Sequence, residues 1–264
     1  MQTLYRKAII AAVEAGKHVL EVYAGDFSVE TKSDNSPLTL ADKKSNEVVK
    51  DALADTGLPF LSEEGKLFSY SERRDWASFW LVDPLDGTKE FVKKSGEFTV
   101  NIALIKHGQP VFGVVYVPVT GALYYGAKGE GSFVFHADEF LTSETLEQYI
   151  SDATSLPVPG NASAYTIVAS KNHSSPETEA FIEEKRKAHD NVHLVNAGSS
   201  LKLCLVAEGK AQVYPRLAPT MEWDTAAGHA VAIFAGCRVY DFETKQELVY
   251  NKENLLNPWF VVER

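Results

Sequence analysis

The chain has 264 residues, a formal net charge of −10 and a hydrophobic fraction of 45%, which are typical of a globular protein with a sizeable core. The acidic balance argues against a nucleic-acid surface, which would need a basic patch, but it allows a small anionic ligand held by local cations or a metal. The charged N-terminal segment lacks the pattern of a signal peptide. No apolar run reaches the roughly 20 residues that a membrane-spanning helix needs. We therefore expect a cytoplasmic protein without a transmembrane segment, and attachment to the inner face of a membrane is left open.

Helical and strand patterns are distinct in the first half of the chain. Apolar residues at helical spacing predict a helix over residues 3–23, and Thr39 is placed to cap a second helix over residues 39–54. Gly and Pro interrupt the later apolar runs at hairpin spacing, which predicts an antiparallel sheet. The predicted strands are residues 27–32, LPFLSEEG at 58–65, a run that ends at Asp83, and the series from Phe98 to Phe135.

The character of the sequence changes after residue 136. The segments ETLEQYI at 144–150 and LPVPGNASA at 156–164 are typical of a linker or excursion. Strand and helix patterns then alternate at 165–170, 176–189, 191–198, 199–209, 211–216 and 223–237. Such alternation indicates an α/β arrangement. We predict two lobes, an α+β lobe over residues 1–136 and an α/β lobe over residues 137–264.

The two cysteines, Cys204 and Cys237, each lie inside an apolar pattern. This placement is typical of buried reduced thiols and not of a disulfide framework or a zinc site. We therefore expect both thiols to have a structural role.

Several carboxylates follow predicted strands or begin predicted helices, where ligand sites of sheet proteins gather. Two carboxylates about 4 Å apart repel each other by roughly 4 kcal/mol at an effective dielectric near 20, so their convergence requires a proton or a metal ion. Oxygen ligands without His or Cys at ligand spacing favour Mg²⁺, Mn²⁺ or Ca²⁺ over zinc. The carboxylates in this context are Asp42, Glu63, Glu64, Asp83, Asp86 and Asp224.

The segment WLVDPLDGTKEF at 80–91 concentrates this pattern. Pro84 has a fixed φ and keeps Asp83 extended, which can aim both aspartates and the Leu85 carbonyl at one point. Gly87 and Thr88 then begin a turn or short helix whose free amides can hold a phosphate.

Five of these six carboxylates also have an ordinary structural explanation. Asp224 is well placed as a helix cap, Glu63 and Glu64 suit a solvated turn, and Asp83 with Asp86 suits an Asx turn. Two known motifs that contain paired aspartates do not match the segment at 80–91. The D-x-D-G-T pattern of haloacid-type phosphatases fails because two residues separate the aspartates. An EF-hand loop that starts at the first aspartate would need Gly and Glu at positions that hold Thr and Lys.

Three segments in this order, SEEG at 62–65, DPLDGT at 83–88 and WDTAAG at 223–228, resemble the signature segments of the inositol monophosphatase superfamily. Its members are Mg²⁺-dependent, lithium-sensitive phosphatases with a layered αβαβα sandwich fold. The segments KSDNSPLTLAD at 32–42 and GSSLKLCLVAEGKAQVYPR at 198–216 are similar to the bacterial 3′(2′),5′-bisphosphate nucleotidase branch. That branch converts adenosine 3′,5′-bisphosphate, a by-product of sulfate assimilation, to AMP and phosphate.

The resemblance implies a role for each matching position. Two or three Mg²⁺ ions would be bound by Glu63, Asp83, Asp86, Asp224 and the Leu85 carbonyl. Catalytic roles fall to Asp42, which would support a third metal or its water, to Glu63, and to Thr88, which would orient the attacking water. Glu64 matches the neighbouring residue of the family pattern. The implied substrate-binding residues are Gly87, Thr88, Lys89, His173, Ser199, Lys202 and Arg216.

Two other functions remain open from the sequence. An inositol or sugar (bis)phosphatase can use the same scaffold, although inositol monophosphatases usually lack the Lys89–Glu90 pair that follows DGT here. A non-catalytic metal and nucleotide sensor is the other, but the joint presence of Asp42, Glu63 and Thr88 favours catalysis. The sequence leaves the oligomeric state open.

Overall fold

The structure is a computed structural model that describes residues 1–25, 28–31, 37–138, 140–159, 164–170 and 175–264. Its helices are α1 (Thr3–Ala24), α2 (Leu40–Leu53), α3 (Tyr70–Arg73), α4 (Thr88–Val92), α5 (Leu146–Ser151), α6 (Pro176–Ala188), α7 (Leu201–Glu208) and α8 (Glu222–Phe234). The strands are β1 (Val29–Thr31), β2 (Pro37–Thr39), β3 (Phe60–Ser62), β4 (Ser78–Asp86), β5 (Thr99–Lys106), β6 (Gln109–Val117), β7 (Ala122–Ala127), β8 (Gly131–His136), β9 (Thr154–Ser155), β10 (Tyr165–Ser170), β11 (Val192–Ala197), β12 (Val213–Arg216), β13 (Arg238–Asp241) and β14 (Phe260–Glu263).

Two large sheets organise these elements. The first has seven strands in the order β3-β4-β5-β6-β7-β8-β9, in which only β3 and β4 pair in parallel. The second has five strands in the order β11-β10-β12-β14-β13, parallel among the first three and antiparallel among the last three. Strands β1 and β2 form a separate antiparallel pair.

Helices cover and separate the sheets in five layers. Helices α1 and α2 pack on one face of the seven-stranded sheet, where Ile9 and Ala12 join Trp80 in the core. Helices α7 and α8 lie between the two sheets. Helix α6 covers the outer face of the five-stranded sheet through Phe181 and Ile182. This αβαβα sandwich confirms the fold class expected from the sequence.

Helix α8 lies very close to the seven-stranded sheet because two glycines face it. Gly113 on β6 and Gly126 on β7 are directly paired across the ladder. A Cβ atom on Gly113 would lie 2.4 Å from the Ala227 carbonyl oxygen, and one on Gly126 would lie 2.6 Å from the Ala230 carbonyl oxygen. The sheet therefore accepts the backbone of α8 directly, which fixes the height of the helix that begins beside Asp224.

We expect Gly113→Ala to lower both stability and activity. The added methyl group would overlap backbone atoms of α8, which cannot move aside as a flexible side chain can. Overpacking of this kind typically lowers the free energy of unfolding by about 1–3 kcal/mol. Thermal unfolding should show a lower Tm, and activity should fall further than the stability loss explains because Asp224 moves with the helix. Gly25→Ala is the matched control for stability, since its φ is −95° and a Cβ there would meet only the Val22 carbonyl oxygen, at the ordinary contact distance of 3.8 Å. An unchanged Tm for Gly113→Ala would contradict the expectation.

The structure agrees with most of the elements expected from the sequence and corrects some. The two N-terminal helices are confirmed, and the Thr39 hydroxyl accepts a hydrogen bond from the Ala41 N–H at 3.1 Å as the cap of α2. The strand predicted to end at Asp83 runs on to Asp86, with a register irregularity between the two residues. The segment 144–150 was expected to be a linker but contains most of α5, because Leu146 packs into the main core.

The C-terminal strands β13 and β14 were not predicted, because each has only four residues and depends on pairing with a neighbouring strand of the sheet. The division into two lobes at residue 136 stays a prediction. No helix in the described part of the chain has both the length and the hydropathy needed to cross a bilayer.

Candidate active site

A β-bulge in β4 places two aspartates on one face of the seven-stranded sheet. Asp83 is opposite Asn101 of β5, whereas Asp86 is opposite Thr99, so three residue steps on β4 match two on β5. In a regular strand, residues three apart point to opposite faces. The extra residue of the bulge removes this conflict. Leu85, between the aspartates, packs on the other side with the core residues of α1 and α2.

Proline is well suited to this bulge because it donates no ladder hydrogen bond. The carbonyl of Pro84 accepts a hydrogen bond from the Ser45 hydroxyl of α2 at 2.6 Å. The carboxylate of Asp83 accepts a hydrogen bond from the Leu85 N–H at 3.0 Å, which is the Asx turn considered from the sequence. The turn therefore coexists with, and supports, the inward placement of the carboxylates.

Three carboxylates from three separate elements converge beside the bulge. Glu63 follows β3, Asp83 lies in β4, and Asp224 lies in the first turn of α8. Each offers an oxygen, and these oxygens all lie within 4.8 Å of one another. The backbone of Glu63 is held in register by a hydrogen bond from its N–H to the Val82 carbonyl at 3.2 Å. The N-cap of α8 is Met221 and not Asp224, so the cap role offered from the sequence for Asp224 is wrong; Asp224 is the third helical residue and accepts from the Met221 N–H at 3.0 Å.

The electrostatics of this cluster favour a proton or a cation. Burial, and next the charge of Glu63, raise the pKa of Asp83 well above the ordinary range of an aspartate. Burial and then Asp86 raise the pKa of Asp224 well above its ordinary range too. An all-oxygen set of carboxylates fits a hard divalent cation such as Mg²⁺, Mn²⁺ or Ca²⁺. The residues therefore fit a metal site.

Asp86 has a different environment from the other three carboxylates. Its Oδ2 accepts a hydrogen bond from the Ser200 N–H at 2.5 Å. Burial raises the pKa of Asp86, and the nearby ammonium group of Lys202 opposes this effect. Asp86 therefore lies between the carboxylate cluster and a cationic side chain.

Asp42 and Thr88 are joined at the edge of the same cleft. The Thr88 hydroxyl donates to Asp42 Oδ1 at 3.1 Å and approaches the Leu85 carbonyl oxygen at 3.4 Å. The other oxygen of Asp42 accepts from both the N–H and the hydroxyl of Thr39, each at 2.7 Å. Asp42, which is 2% exposed, thus has a fixed orientation toward Thr88.

Gly87 makes the sharp transition from β4 to α4. Its φ is +93°, in the region that only glycine adopts without strain. Thr88 then begins the short helix α4, as expected from the sequence. Lys89 follows as an exposed residue at the rim of the cleft.

Two adjoining cavities open at this place. The larger, of about 510 Å³, is lined by Glu63, Asp83, Thr88, Lys89 and Trp223 among others. The smaller, of about 110 Å³, is lined by residues that include Glu90, Ser199, Lys202 and Tyr214. Both cavities share six lining residues, which are Asp86, Gly87, Glu90, Arg216, Thr220 and Asp224.

The turn before α7 forms one side of the smaller cavity. Ser199 has a φ of +44°, an uncommon conformation for a residue with a side chain. Its buried hydroxyl has no hydrogen-bond partner in the described part of the chain. Lys202 lies beneath this turn, 5% exposed, and its Nζ donates to the carbonyls of Ser199 at 2.6 Å and Ala197 at 3.4 Å. Burial lowers the pKa of Lys202 to about 8, an effect that Asp86 opposes.

Arg216 stands between the two cavities. One of its terminal nitrogens, Nη2, donates to the Pro219 carbonyl at 2.9 Å. Its buried Nε has no hydrogen-bond partner among the residues that the structure describes. The guanidinium group therefore retains donor capacity at the cavity wall.

The structure brings most of the sequence-predicted residues to this cleft. Glu64 follows in the turn after β3 and is not part of the three-carboxylate cluster. His173 lies outside the described residues. Ser45 and Ser200 were not singled out from the sequence, because a serine on a helix or in a turn carries no local signal of its remote partner.

The chain is similar to known proteins over nearly its whole length. The sequence model of the inositol monophosphatase family matches residues 1–259. The 3′(2′),5′-bisphosphate nucleotidase CysQ of Escherichia coli K12 is 42% identical over 255 residues, which cover 95% of this chain and 96% of the relative. The enzyme of the same name from Haemophilus influenzae is 30% identical over 262 residues, which cover 98% and 92%.

Solved structures show the same relationship. The crystal structure of CysQ from Bacteroides thetaiotaomicron, described as a bacterial member of the inositol monophosphatase family, superposes with a TM-score of 0.89 at 48% identity and covers 100% of this chain and 97% of its own. Inositol monophosphatase from Anabaena (Nostoc) sp. PCC 7120 shares the fold with a TM-score of 0.71 at 24% identity, over 99% of this chain and 90% of its own. This chain belongs to the inositol monophosphatase family.

Proposed function

We propose that this protein is a Mg²⁺-dependent phosphatase that hydrolyses the 3′-phosphate of adenosine 3′,5′-bisphosphate to give AMP and phosphate. The observation that carries the proposal is the convergence of Glu63, Asp83 and Asp224 next to the hydrogen-bonded pair Thr88 and Asp42. The identity to proteins named 3′(2′),5′-bisphosphate nucleotidase, over nearly the whole chain, supports the choice of substrate.

The carboxylates are the proposed ligands of two or three Mg²⁺ ions. Glu63, Asp83 and Asp224 would bind through the oxygens that face one another, and Asp86 and the Leu85 carbonyl would complete the set. When bound, Mg²⁺ supplies charge neutralisation at the phosphoryl oxygens and lowers the pKa of a bound water. The raised pKa values of Asp83 and Asp224 support this role, because a bound cation offsets both the burial and the repulsion between carboxylates that raise them.

Thr88 is the proposed orienting group for the attacking water. Its proton is directed at Asp42, so the hydroxyl oxygen keeps its lone pairs for a water molecule in the cleft. Asp42 is itself fixed by two hydrogen bonds from Thr39 and so holds the direction of the Thr88 hydroxyl. The amides of Gly87 and Thr88 are proposed to hold the phosphate.

We expect Thr88→Val to lower kcat by about 10²-fold or more, the lower end of what a positioned proton-handling group contributes. Valine has the same shape but can neither donate to Asp42 nor accept from water. Thr88→Ser keeps the hydroxyl and should stay within a few-fold of wild type. Steady-state kinetics at saturating Mg²⁺ should show the loss in kcat with a nearly unchanged KM. Equal activity of the valine and serine variants would contradict the role.

The cationic side chains near the smaller cavity suit a substrate with a second phosphate. Arg216 and Lys202 lie at this cavity, and Lys89 lies at the rim of the larger one. Arg is well matched to phosphate because its planar fork donates two parallel hydrogen bonds. We propose that Ser199, Lys202 and Arg216 contact the nucleotide part of the substrate, with Lys89 and His173 as further contacts.

The deciding experiment compares phosphate release from adenosine 3′,5′-bisphosphate and from inositol 1-phosphate, each with Mg²⁺ and with chelator. We expect fast, chelator-sensitive release from the nucleotide and slow release from the inositol ester. Preference for the inositol ester would keep the metal site and overturn the assignment of Lys89, Lys202 and Arg216. Release from neither substrate would overturn the proposed activity.

A further inference from the structure

Strand β5 carries two buried polar residues opposite the two aspartates of β4. Thr99 is opposite Asp86 and Asn101 is opposite Asp83 in the ladder. The two residues are two positions apart and so share a face, and that face is the one that α7 approaches. Both side chains are 0% exposed. Burial of a hydroxyl or an amide is costly unless it is hydrogen-bonded, so their partners are informative.

Both side chains meet at Ser200, the residue that precedes α7. The Ser200 hydroxyl donates to Asn101 Oδ1 at 2.7 Å, and the Thr99 and Ser200 hydroxyl oxygens are 2.9 Å apart. The three side chains therefore form one chain of contacts from Thr99 through Ser200 to Asn101. Ser200 is 2% exposed, so water does not compete strongly for these groups.

The backbone of the same serine holds Asp86. Its N–H donates to Asp86 Oδ2 at 2.5 Å. The two side-chain bonds hold Ser200 over β5, and this determines where its N–H points. A carboxylate held through one oxygen can offer the other to a cation.

We propose that Thr99, Asn101 and Ser200 are positioning residues that fix the carboxylate of Asp86 for metal binding. They would not bind the metal themselves but would act through Asp86, and only Ser200 of the three also lines the smaller cavity. Unlike Glu63, Asp83 and Asp224, Asp86 is not in the mutual 4.8 Å cluster, so its placement depends on this separate support. The inference rests on the proposed metal-dependent function, and its test separates the two.

The test uses a pair of variants at Thr99. Thr99→Val removes the hydroxyl and keeps the shape, whereas Thr99→Ser keeps the hydroxyl and loses a methyl group. Isothermal titration of MnCl₂ into chelator-treated full-length protein, without substrate, measures cation binding directly. Loss of a group that orients a metal ligand typically weakens affinity by about 10–100-fold. We expect the Kd for the Mn²⁺ ion that Asp86 binds to rise by that factor in Thr99→Val and by less than about 3-fold in Thr99→Ser.

Kinetics give an independent readout of the same variants. In Thr99→Val the Mg²⁺ concentration for half-maximal activity should rise in parallel with the Mn²⁺ Kd, whereas the substrate KM at saturating Mg²⁺ should not change. Ser200→Ala provides the same test should Thr99→Val not fold. The double variant Thr99→Val/Ser200→Ala should bind Mn²⁺ about as tightly as whichever single variant binds Mn²⁺ more weakly, because both changes act through one chain of contacts.

The outcomes distinguish the two proposals. A wild-type protein that binds no Mn²⁺ would overturn the metal-dependent function together with this inference. Wild-type binding with an unchanged Kd in both Thr99→Val and Ser200→Ala would overturn only the positioning role. A lower Tm of both variants with an unaltered Kd in both would likewise assign Thr99 and Ser200 to fold stability alone and overturn the positioning role.

Discussion

Replacement of Asp83 by asparagine is expected to abolish turnover and, in the absence of metal, to stabilise the fold. Asp83 is 1% exposed and lies within reach of the carboxylates of Glu63 and Asp224. Asparagine has the same shape but no charge, so it is a much weaker ligand for a hard cation. We expect kcat/KM to fall by at least about 10³-fold, more than the loss of an outer hydrogen-bond partner causes.

The stability arm of this prediction follows from the raised pKa of Asp83. Its folded-state pKa lies above the value of about 3.9 in an unfolded chain. The folded state therefore binds the proton of Asp83 more tightly than the unfolded state does. This proton binding stabilises the fold at a pH below the unfolded-state pKa, and the stabilisation is lost as the pH rises through the raised folded-state pKa. At neutral pH Asp83 is ionised in the unfolded chain, so the metal-free folded state must either take up a proton or hold a buried charge beside other carboxylates, and Asp83→Asn removes this cost.

Thermal unfolding at neutral pH measures this effect directly. In chelator, Asp83→Asn should have a higher Tm than wild type, and in excess Mg²⁺ the order should reverse because only wild type gains metal-binding energy. Asp75→Asn is the control, since the Asp75 side chain is 86% exposed and lies outside the cleft. Full activity of Asp83→Asn, or a Tm order that Mg²⁺ does not alter, would refute the metal-cluster assignment.

The second large effect is expected from Arg216→Lys, measured with two nucleotides. The guanidinium group lies at both cavities and keeps an unpartnered buried Nε among the described residues. Lysine retains the charge but not the planar fork that binds phosphate through two parallel bonds. We expect kcat/KM for adenosine 3′,5′-bisphosphate to fall by about 10–100-fold, the range of about 1.4–2.7 kcal/mol of transition-state stabilisation.

A substrate that lacks the second phosphate isolates this contribution. Hydrolysis of 3′-AMP by Arg216→Lys should fall by less than about 3-fold, because the contact that the variant weakens is absent from that substrate. Arg238→Lys serves as the matched control, since the exposed Arg238 of β13 lines neither cavity of the cleft. Equal losses with both nucleotides would show that Arg216 acts on the fold or on the metal site and not on the second phosphate.

Much of this protein was predictable from its sequence. The apolar spacing that defines α1 and the cap at Thr39 are local signals, and both elements form where expected. The convergence of carboxylates was also expected, because carboxylates that follow strands or begin helices indicate a cation site and favour Mg²⁺, Mn²⁺ or Ca²⁺ over zinc. The three signature segments identified the family, and with it the five-layer fold.

Only the tertiary structure decided how these residues meet. The bulge between Asp83 and Asp86 turns both aspartates to one face, and its position depends on pairing with β5, not on β4 alone. The close approach of α8 depends on Gly113 and Gly126, which face it from strands distant in sequence. Ser200 contacts Asp86 across 114 residues. Local sequence patterns specify periodicity and turn chemistry, whereas these contacts arise from packing between elements far apart in the chain, which no local pattern encodes.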